Sequence, residues 1–328
     1  MTDTNPDNAP EHIPGRPLVG ISSCLLGEKV RYDGGGKLDR YLRDILGEHV
    51  DFKLVCPEVE SGMGIPRDAM RLVRVDGEDR LVTRKTGVDQ TARMRTWMQK
   101  RLKALAAEPL CGYIFKAKSP SCGMFRVKVY NPGGTPATQS RGIYAAEFAS
   151  RFPSLPVEEE GRLNDSVIRE NFIERVFVLH RWHALNRQRR TASRIMDFHA
   201  RHKYILMAHS PATLKELGAF LANSSNLPVK EVYETWFGRF ITALARQSTR
   251  HKNTNVLQHI MGYFRKHLDK DEKAELGGII DNYRRGLLPL VVPVTMLNHY
   301  VRKYREPYLA RQYYLNPHPL ELMLRNHV

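Results

Sequence analysis

The amino-acid sequence predicts an α/β domain with a mostly parallel sheet and flanking helices, followed by an all-α domain. Three observations lead to this prediction. Apolar runs of strand length alternate with helical patterns in the first half, strand patterns cease after residues 152–165, and amphipathic helical patterns with good capping residues follow one another beyond that segment. A chain of 328 residues with 42% hydrophobic content is long enough to form two cores.

Hydrophobic spacing predicts the elements of the first half in order. Strands are expected at residues 17–25, 51–55 and 110–116, helices at 38–46 and 88–107, and a hairpin at 70–84 around Asp76-Gly77. The 88–107 helix is amphipathic, because its apolar residues recur at helical spacing as Met94, Met98, Leu102 and Leu105.

Residues 152–165 are interpreted as a linker or domain edge, because they contain two prolines, three consecutive glutamates and little apolar periodicity. We therefore expect a disordered tail at 1–15 and domains at 16–160 and 161–328. In the second domain Ser210-Pro211 predicts a helix start, and Gly286 after two arginines predicts a helix end.

The positive charge belongs to the second half of the chain. From Val167 onward there are 26 Lys and Arg against 13 Asp and Glu, which is +13 of the total +16. Such a domain attracts polyanions. Its basic segments also carry aromatic or imidazole rings, as RNA-binding surfaces do, although solvated charges on ordinary amphipathic helices explain any single segment.

The chain is expected to be a soluble cytosolic protein. No stretch approaches the roughly 20 apolar residues that cross a bilayer, and Met1 to Arg16 lacks the apolar centre of a secretory signal. In the cytosol its four cysteines are expected to be metal ligands, catalytic groups or buried residues rather than disulfide partners.

Three cysteines, Cys24, Cys56 and Cys122, each follow a predicted strand. In an open α/β sheet the carboxyl ends of parallel strands face one crevice, so these thiols are expected to converge there. Spacing alone leaves a metal site and simple burial about equally open. Cys111 begins a strand whose far end is about 20 Å away, so it is expected to be a buried apolar residue and no ligand.

The residues around these cysteines favour a chemical site over a packing site. Glu58 stands two residues after Cys56. Two hydroxyl residues, Ser119 and Ser121, precede Cys122 in the same loop. A polar segment, Arg31-Tyr32-Asp33, follows Cys24.

At these residues the first half resembles the bacterial thiouracil desulfidases, the TudS family, from about Arg16 to Tyr144. The motifs are Ser22-Ser23-Cys24-Leu25-Leu26-Gly27, Arg31-Tyr32-Asp33-Gly34, Cys56-Pro57-Glu58, Pro66-Arg67, Thr86-Gly87-Val88-Asp89 and Ser119-Pro120-Ser121-Cys122-Gly123. The remainder resembles a YbgA-type helical domain, and the fusion resembles bacterial enzymes that remove sulfur from 4-thiouridine in tRNA.

The resemblance implies a 4Fe-4S cluster bound by Cys24, Cys56 and Cys122, with one iron open to a soft thiocarbonyl sulfur. It also implies that Glu58 is a general base or proton carrier and that Ser119 orients or protonates the reacting group. Ser121 belongs to the same candidate set.

Two further sets of residues stay open. The chain departs from the simplest family pattern at Glu60 and Met63, where more glycine is expected, so Glu60 is either a second candidate carboxylate or a surface acid. Arg31, Tyr32 and Asp33 are expected either to contact the substrate or to fix the Cys24 loop.

We therefore expect an iron-sulfur enzyme that converts 4-thiouridine in tRNA to uridine with release of sulfide. One alternative is a desulfidase of free thiouracil or thionucleosides, with the helical half serving oligomerisation. Another is an iron-sulfur sensor that binds nucleic acid without turnover. The sequence leaves the oligomeric state open.

Overall fold

A computed structural model of the chain describes residues 14–327, which form two compact units. The first, here called the α/β domain, spans Arg16–Asp165, and the second, the helical domain, begins at Ser166. The predicted fold class is confirmed. The tail predicted at 1–15 lies outside the described residues except for positions 14 and 15.

The α/β domain contains two four-stranded sheets. Its strands are β1 Leu18–Ser22, β2 Asp51–Val55, β3 Met70–Val75, β4 Glu78–Thr83, β5 Leu110–Phe115, β6 Val127–Tyr130, β7 Pro136–Ser140 and β8 Val157–Glu159. The first sheet is entirely parallel, in the order β2-β1-β5-β8. The second has the order β4-β3-β6-β7 and is antiparallel except between β3 and β6.

The helices of this domain are α1 Pro57–Glu60, α2 Thr91–Ala106 and α3 Ile143–Arg151. The predicted strand at 17–25 is too long, because the chain enters a tight 3-10 turn at Ser23–Leu26. The helix predicted at 38–46 is replaced by a π-helical turn at Tyr41–Ile45 and a 3-10 turn at Leu46–Glu48.

Of the two interpretations of residues 152–165, the structure favours a domain edge over a linker, because the first unit ends at Asp165 and β8 inside this segment extends the parallel sheet. Only three residues of β8 pair, so its sequence carries no alternating pattern of useful length. The second sheet was only half anticipated. Its strand β7 is polar and largely exposed, and hydrophobic spacing therefore does not reveal it.

Aromatic side chains fill the core of the α/β domain. The rings of Tyr113 and Phe115 stack with centroids 4.2 Å apart, and Phe148 lies 4.6 Å from Tyr113. Strand β1 approaches this cluster closely at Gly20, where an added β-carbon would lie 2.2 Å from Tyr113 Cδ2. The aromatic core therefore fixes the central strand of the parallel sheet.

The helical domain consists of successive amphipathic helices. They are α4 Ser166–Asn186, α5 Ala192–His209, α6 Pro211–Ala222, α7 Val229–Leu244, α8 Arg250–Tyr263, α9 Lys270–Arg284, α10 Val291–Lys303 and α11 Pro307–Ala310. As predicted, Ser210 caps α6, its Oγ accepting the N–H of Thr213 at 3.2 Å, and Gly286 follows α9 with φ +80°. None of the described helices is long and apolar enough to cross a membrane.

Replacing Gly20 with alanine tests the packing of β1 against Tyr113. Overpacking of this kind is expected to lower the free energy of unfolding of the α/β domain by about 1–3 kcal/mol, measured by urea denaturation. Gly161→Ala is the matched control, because nothing lies within 4 Å of the carbon that it adds. Equal effects of the two substitutions would contradict the close packing at Gly20.

Candidate metal centre

The parallel sheet brings two of the predicted ligands together at its carboxyl edge. Ser22, the last residue of β1, pairs with Val55, the last residue of β2. Cys24 lies in the turn that follows β1, and Cys56 comes directly after β2. Because neighbouring parallel strands end at the same level, both thiols belong to one edge of the sheet.

The third predicted ligand, Cys122, reaches this edge through a loop that follows β5. The hydroxyl oxygen of Ser119 accepts the backbone N–H groups of Ser121 at 3.2 Å and Cys122 at 3.1 Å. Gly142 packs against the same loop so closely that an added β-carbon would lie 2.9 Å from the nitrogen of Cys122. Ser119 therefore shapes the loop that carries this thiol.

All three thiols are buried, and the charge of Glu58 acts on each of them. Burial, followed by the negative charge of Glu58, raises the pKa of Cys24 to about 11 and that of Cys56 to about 12. The same two causes raise the pKa of Cys122, and the charges of Cys56 and Cys24 raise it further. Glu58 is thus the negative charge that the three thiols share.

The side chain of Glu58 lies among these thiols with little access to solvent. It is 9% exposed, and its Oε2 accepts the Cys56 thiol at 3.6 Å. Arg67 Nη2 lies 3.8 Å from the same oxygen, and Arg67 Nη1 donates to the carbonyl of Val30 at 3.0 Å. Arg67 was not predicted as a site residue, although it stands in the Pro66-Arg67 motif.

Glu60, the second candidate carboxylate, has structural partners. Its Oε1 accepts the backbone N–H of Cys56 at 3.0 Å, and its Oε2 lies 3.1 Å from Arg101 Nε. These contacts hold the start of α1 in place beneath Cys56. Glu60 therefore positions a candidate ligand, whereas Glu58 is the carboxylate in contact with a thiol.

Three further charged residues that the sequence did not single out lie at this edge. Lys116, just after β5, forms an ion pair with Glu160, and both charges shift the pKa of Cys24 in opposite directions. Glu159, the last residue of β8, accepts the N–H groups of Met124 at 2.8 Å and Phe125 at 3.0 Å. The signal for Glu159 and Glu160 is the run of three glutamates at 158–160, which the sequence pattern assigns to a linker or domain edge.

The segment Arg31-Tyr32-Asp33 forms a turn near Cys24. Asp33 Oδ1 accepts the N–H of Gly35 at 3.0 Å, and Arg31 Nε lies 3.5 Å from the same oxygen. The positive charge of Arg31 offsets part of the rise in the pKa of Cys24 that burial and Glu58 cause. Tyr32 is 44% exposed, with the Arg31 guanidinium 5.5 Å from its ring centre. Asp33 thus fixes the turn, and Tyr32 presents its ring to solvent.

Cys111 occupies a different place from the other thiols. It is the second residue of β5, at the end of the strand away from the Cys122 loop, and its thiol donates to the carbonyl of Pro109 at 3.4 Å. The structure therefore places it as the sequence predicts. None of the four cysteines forms a disulfide among the described residues.

The donor set fits an iron-sulfur group. Cys24, Cys56 and Cys122 are soft sulfur donors at one edge, and Arg67 and Lys116 provide positive charge for an anionic cluster. The hydroxyl of Ser121 is fully buried and has no hydrogen-bond partner in the part of the chain described, as expected of a polar atom that a bound group satisfies.

A single ion is a different case. Within residues 14–327 no group of three His, Cys, Asp or Glu side chains is arranged to hold one metal ion. In a cluster each thiolate binds a different iron of a larger unit. The fit to an iron-sulfur group therefore depends on the shared edge and the donor chemistry of the thiols.

An open groove of about 630 Å³ adjoins the Cys122 loop. Met124 and Phe125 line it together with three arginines, Arg126, Arg141 and Arg162. Arg162 binds Glu158 and lies 4.6 Å over the Phe125 ring, whereas Arg126 and Arg141 are exposed and make no ion pair with a described residue. The groove thus has an aromatic wall and uncompensated positive charge.

Comparisons with known proteins assign both parts of the chain. The family model described as 2-thiouracil desulfurase matches residues 19–160, and the one described as a protein of unknown function (DUF1722) matches residues 203–319. A solved 4Fe-4S-dependent thiouracil desulfidase, TudS, is 30% identical, with 46% of this chain and 95% of TudS covered and a TM-score of 0.37.

Two curated proteins are similar in sequence. The uncharacterized protein YbbK of Bacillus subtilis (strain 168) is 29% identical over 111 residues, 32% of this chain and 73% of YbbK. The uncharacterized protein YbgA of Escherichia coli (strain K12) is 34% identical over 153 residues, 46% of this chain and 90% of YbgA. The chain therefore belongs to the YbgA family, and it joins a DUF1722 domain to a 2-thiouracil desulfurase domain.

Proposed function

We propose that Cys24, Cys56 and Cys122 bind a 4Fe-4S cluster and that the protein converts 4-thiouridine in tRNA to uridine with release of sulfide. The observation that carries this proposal is the position of Glu58, whose carboxylate contacts one thiol and whose charge acts on all three. The match of residues 19–160 to the 2-thiouracil desulfurase family supports desulfuration.

The proposed reaction is a hydrolysis and needs no external oxidant or reductant. Water adds to C4 of the thiopyrimidine, the C4–S bond breaks, and the two protons of water leave with sulfur as hydrogen sulfide. A bound cluster, which Cys24, Cys56 and Cys122 would hold, would supply iron as a Lewis acid for a soft thiocarbonyl sulfur.

The protein groups then move and hold protons. Glu58 accepts a proton from the attacking water and returns it to the departing sulfur. Arg67, whose Nη2 lies 3.8 Å from Oε2 of Glu58, holds this carboxyl group in position. Ser119 accepts two backbone N–H groups and keeps its own O–H for donation to the reacting group.

Two features support RNA as the substrate. The second half of the chain carries a net charge of +13, and the arginine-lined groove beside the Cys122 loop offers Arg126 and Arg141 to phosphate groups. Its volume of about 630 Å³ lies within the roughly 300–1,000 Å³ of small-molecule pockets, which is enough for a nucleoside.

Free thiouracil or a free thionucleoside is the second candidate substrate, and the description of the matching family as 2-thiouracil desulfurase favours it. In that case the charge of the helical domain has no role in catalysis. The two candidates predict different substrate preferences for the full-length enzyme, which are thiolated tRNA in the first case and the free base or nucleoside in the second.

The substrate assay follows the near-ultraviolet absorbance of 4-thiouridine in thiolated tRNA with anaerobically purified, cluster-loaded protein. We expect the absorbance to disappear as sulfide is released, with a higher kcat/KM for tRNA than for free 4-thiouridine or 2-thiouracil. Turnover of the free compounds alone supports the second candidate. Undiminished absorbance with every substrate would contradict a desulfidase.

Single Cys→Ser substitutions test the proposed ligand set. The change at Cys24, Cys56 or Cys122 is expected to remove most of the iron, because each serine replaces a thiolate ligand. Cys111→Ser is the matched control and should keep about four irons per chain, measured with acid-labile sulfide after anaerobic purification. Iron that survives all three substitutions but is lost in Cys111→Ser would refute the assignment.

Substitution of each of the two glutamates of α1 distinguishes a role in proton transfer from a role in positioning a cluster ligand. Glu58→Gln is expected to lower kcat about 10²–10⁴-fold while the iron content stays, because a proton carrier is lost and its shape is kept. Glu60→Gln retains an oxygen for the Cys56 N–H and should lower kcat much less. Full turnover in Glu58→Gln would exclude its proposed role. A sensor without turnover predicts unchanged RNA binding in both variants and no sulfide release.

A further inference from the structure

The helical domain contains a cavity of about 210 Å³ that is rich in arginine. Arg181 of α4, Arg194 and Arg201 of α5, and the ring of Tyr313 line it. The N–H of Tyr313 donates to the carbonyl of Arg201 at 3.1 Å, and its ring packs on His202 with centroids 4.6 Å apart. The wall of the cavity is thus held by contacts within this domain.

Arg181 is a buried cation that forms no ion pair with a described carboxylate, and Glu174 acts on it only as a more distant charge. Arg181 is 7% exposed, its Nη2 donates to the carbonyl of Pro317, and its guanidinium lies 4.1 Å over the Tyr313 ring. Its Nη1 has no hydrogen-bond partner among residues 14–327, and burial lowers its pKa to about 10. A buried charge left in this state is costly unless an anion accompanies it.

The remaining charges at the cavity leave it positive. Asp197 is its acidic lining residue, and both carboxylate oxygens are already engaged, one by Arg201 Nε at 2.7 Å and the other by Arg311 Nη2 at 2.6 Å. Arg194 is exposed, and its Nη1 donates to the carbonyl of Arg189 at 2.6 Å without an acidic partner. Arg181 and Arg194 therefore contribute positive charge to the cavity, and neither forms an ion pair with a described carboxylate.

We propose that this cavity binds a phosphate group. The planar guanidinium offers paired N–H donors that match phosphate oxygens, and Arg181 has an Nη1 that still needs an acceptor. The volume is smaller than the roughly 300 Å³ at which pockets for small molecules begin, so the cavity takes one phosphate group rather than a whole nucleotide. Neither family match assigns this site.

That phosphate belongs either to an RNA backbone or to free inorganic phosphate, and the two sources share one recognition chemistry. The assignment of the ligand as an RNA backbone phosphate rests on the proposed function, whereas phosphate binding in the cavity does not. The tests below therefore measure inorganic phosphate and tRNA separately, and neither readout depends on desulfuration.

The first test titrates inorganic phosphate into the full-length protein by calorimetry, with chloride at the same ionic strength as the baseline. Arg194→Gln is expected to weaken phosphate binding about tenfold, because it removes a charged donor at an exposed position. Arg239→Gln is the matched control, since Arg239 pairs with Glu216 on the surface and does not line the cavity. No phosphate binding to the wild type, or equal weakening in both variants, would overturn the proposal.

Arg181→Met is a second test variant, in which the loss of phosphate binding is measured together with a check that the protein is folded. Replacing an unpaired buried cation with an apolar side chain is expected to retain the fold, checked by circular dichroism and thermal melting. Phosphate raises the melting temperature of the wild type and should no longer do so in this variant. A folded Arg181→Met protein that phosphate still stabilises fully would overturn the proposal.

The source of the phosphate follows from tRNA binding by the same variants. If Arg194→Gln weakens tRNA binding more than Arg239→Gln does, and inorganic phosphate competes with tRNA, the cavity receives an RNA phosphate. If both variants bind tRNA equally while Arg194→Gln alone loses phosphate affinity, the ligand is free phosphate. The desulfuration assay is carried out on the wild-type protein and does not enter these binding measurements, so failure of the proposed function is recognised separately.

Discussion

Parallel pairing of β1 with β2 and β5 is the constraint on which the candidate site depends. Parallel strands end at one edge, and the chain must leave each of them by a loop on that side. Ser22 and Val55 are the paired last residues of β1 and β2. Cys24 and Cys56 follow them within two residues, so little structure beyond the strand pairing is needed to bring these two thiols to one edge. Cys122 is farther from its strand and depends on hydrogen bonds within its loop.

The second requirement is control of charge at that edge. Glu58 places a carboxylate among three buried thiols, and its charge disfavours their ionisation. Arg67 contacts this carboxylate, and Lys116 acts in the opposite direction on Cys24. The positive charge of iron in a bound iron-sulfur group would overcome the effect of Glu58 and hold the three thiols as thiolates. Glu58, which destabilises the free thiolates, is also the residue that we propose as the proton carrier.

Much of this arrangement could be predicted because apolar strand patterns reveal where strands end. The run up to Val55 and the run through β5 located the loops of Cys56 and Cys122, and polar neighbours such as Glu58 indicated chemistry there. Arg67 could not be assigned in this way, because its contact with the Val30 carbonyl joins residues 37 positions apart. The strand β8 was missed since its three paired residues carry no periodicity, and the role of Glu159 was missed with it.

We propose that the three thiols at this edge bind one iron-sulfur cluster. The most direct measurement is anomalous X-ray scattering at the iron edge from crystals of protein purified and grown without oxygen. We expect one compact group of iron atoms bounded by the sulfur atoms of Cys24, Cys56 and Cys122, with one iron free of protein ligands. Iron bound at Cys111, or a crystal of iron-loaded protein with no iron between these three sulfurs, would contradict it.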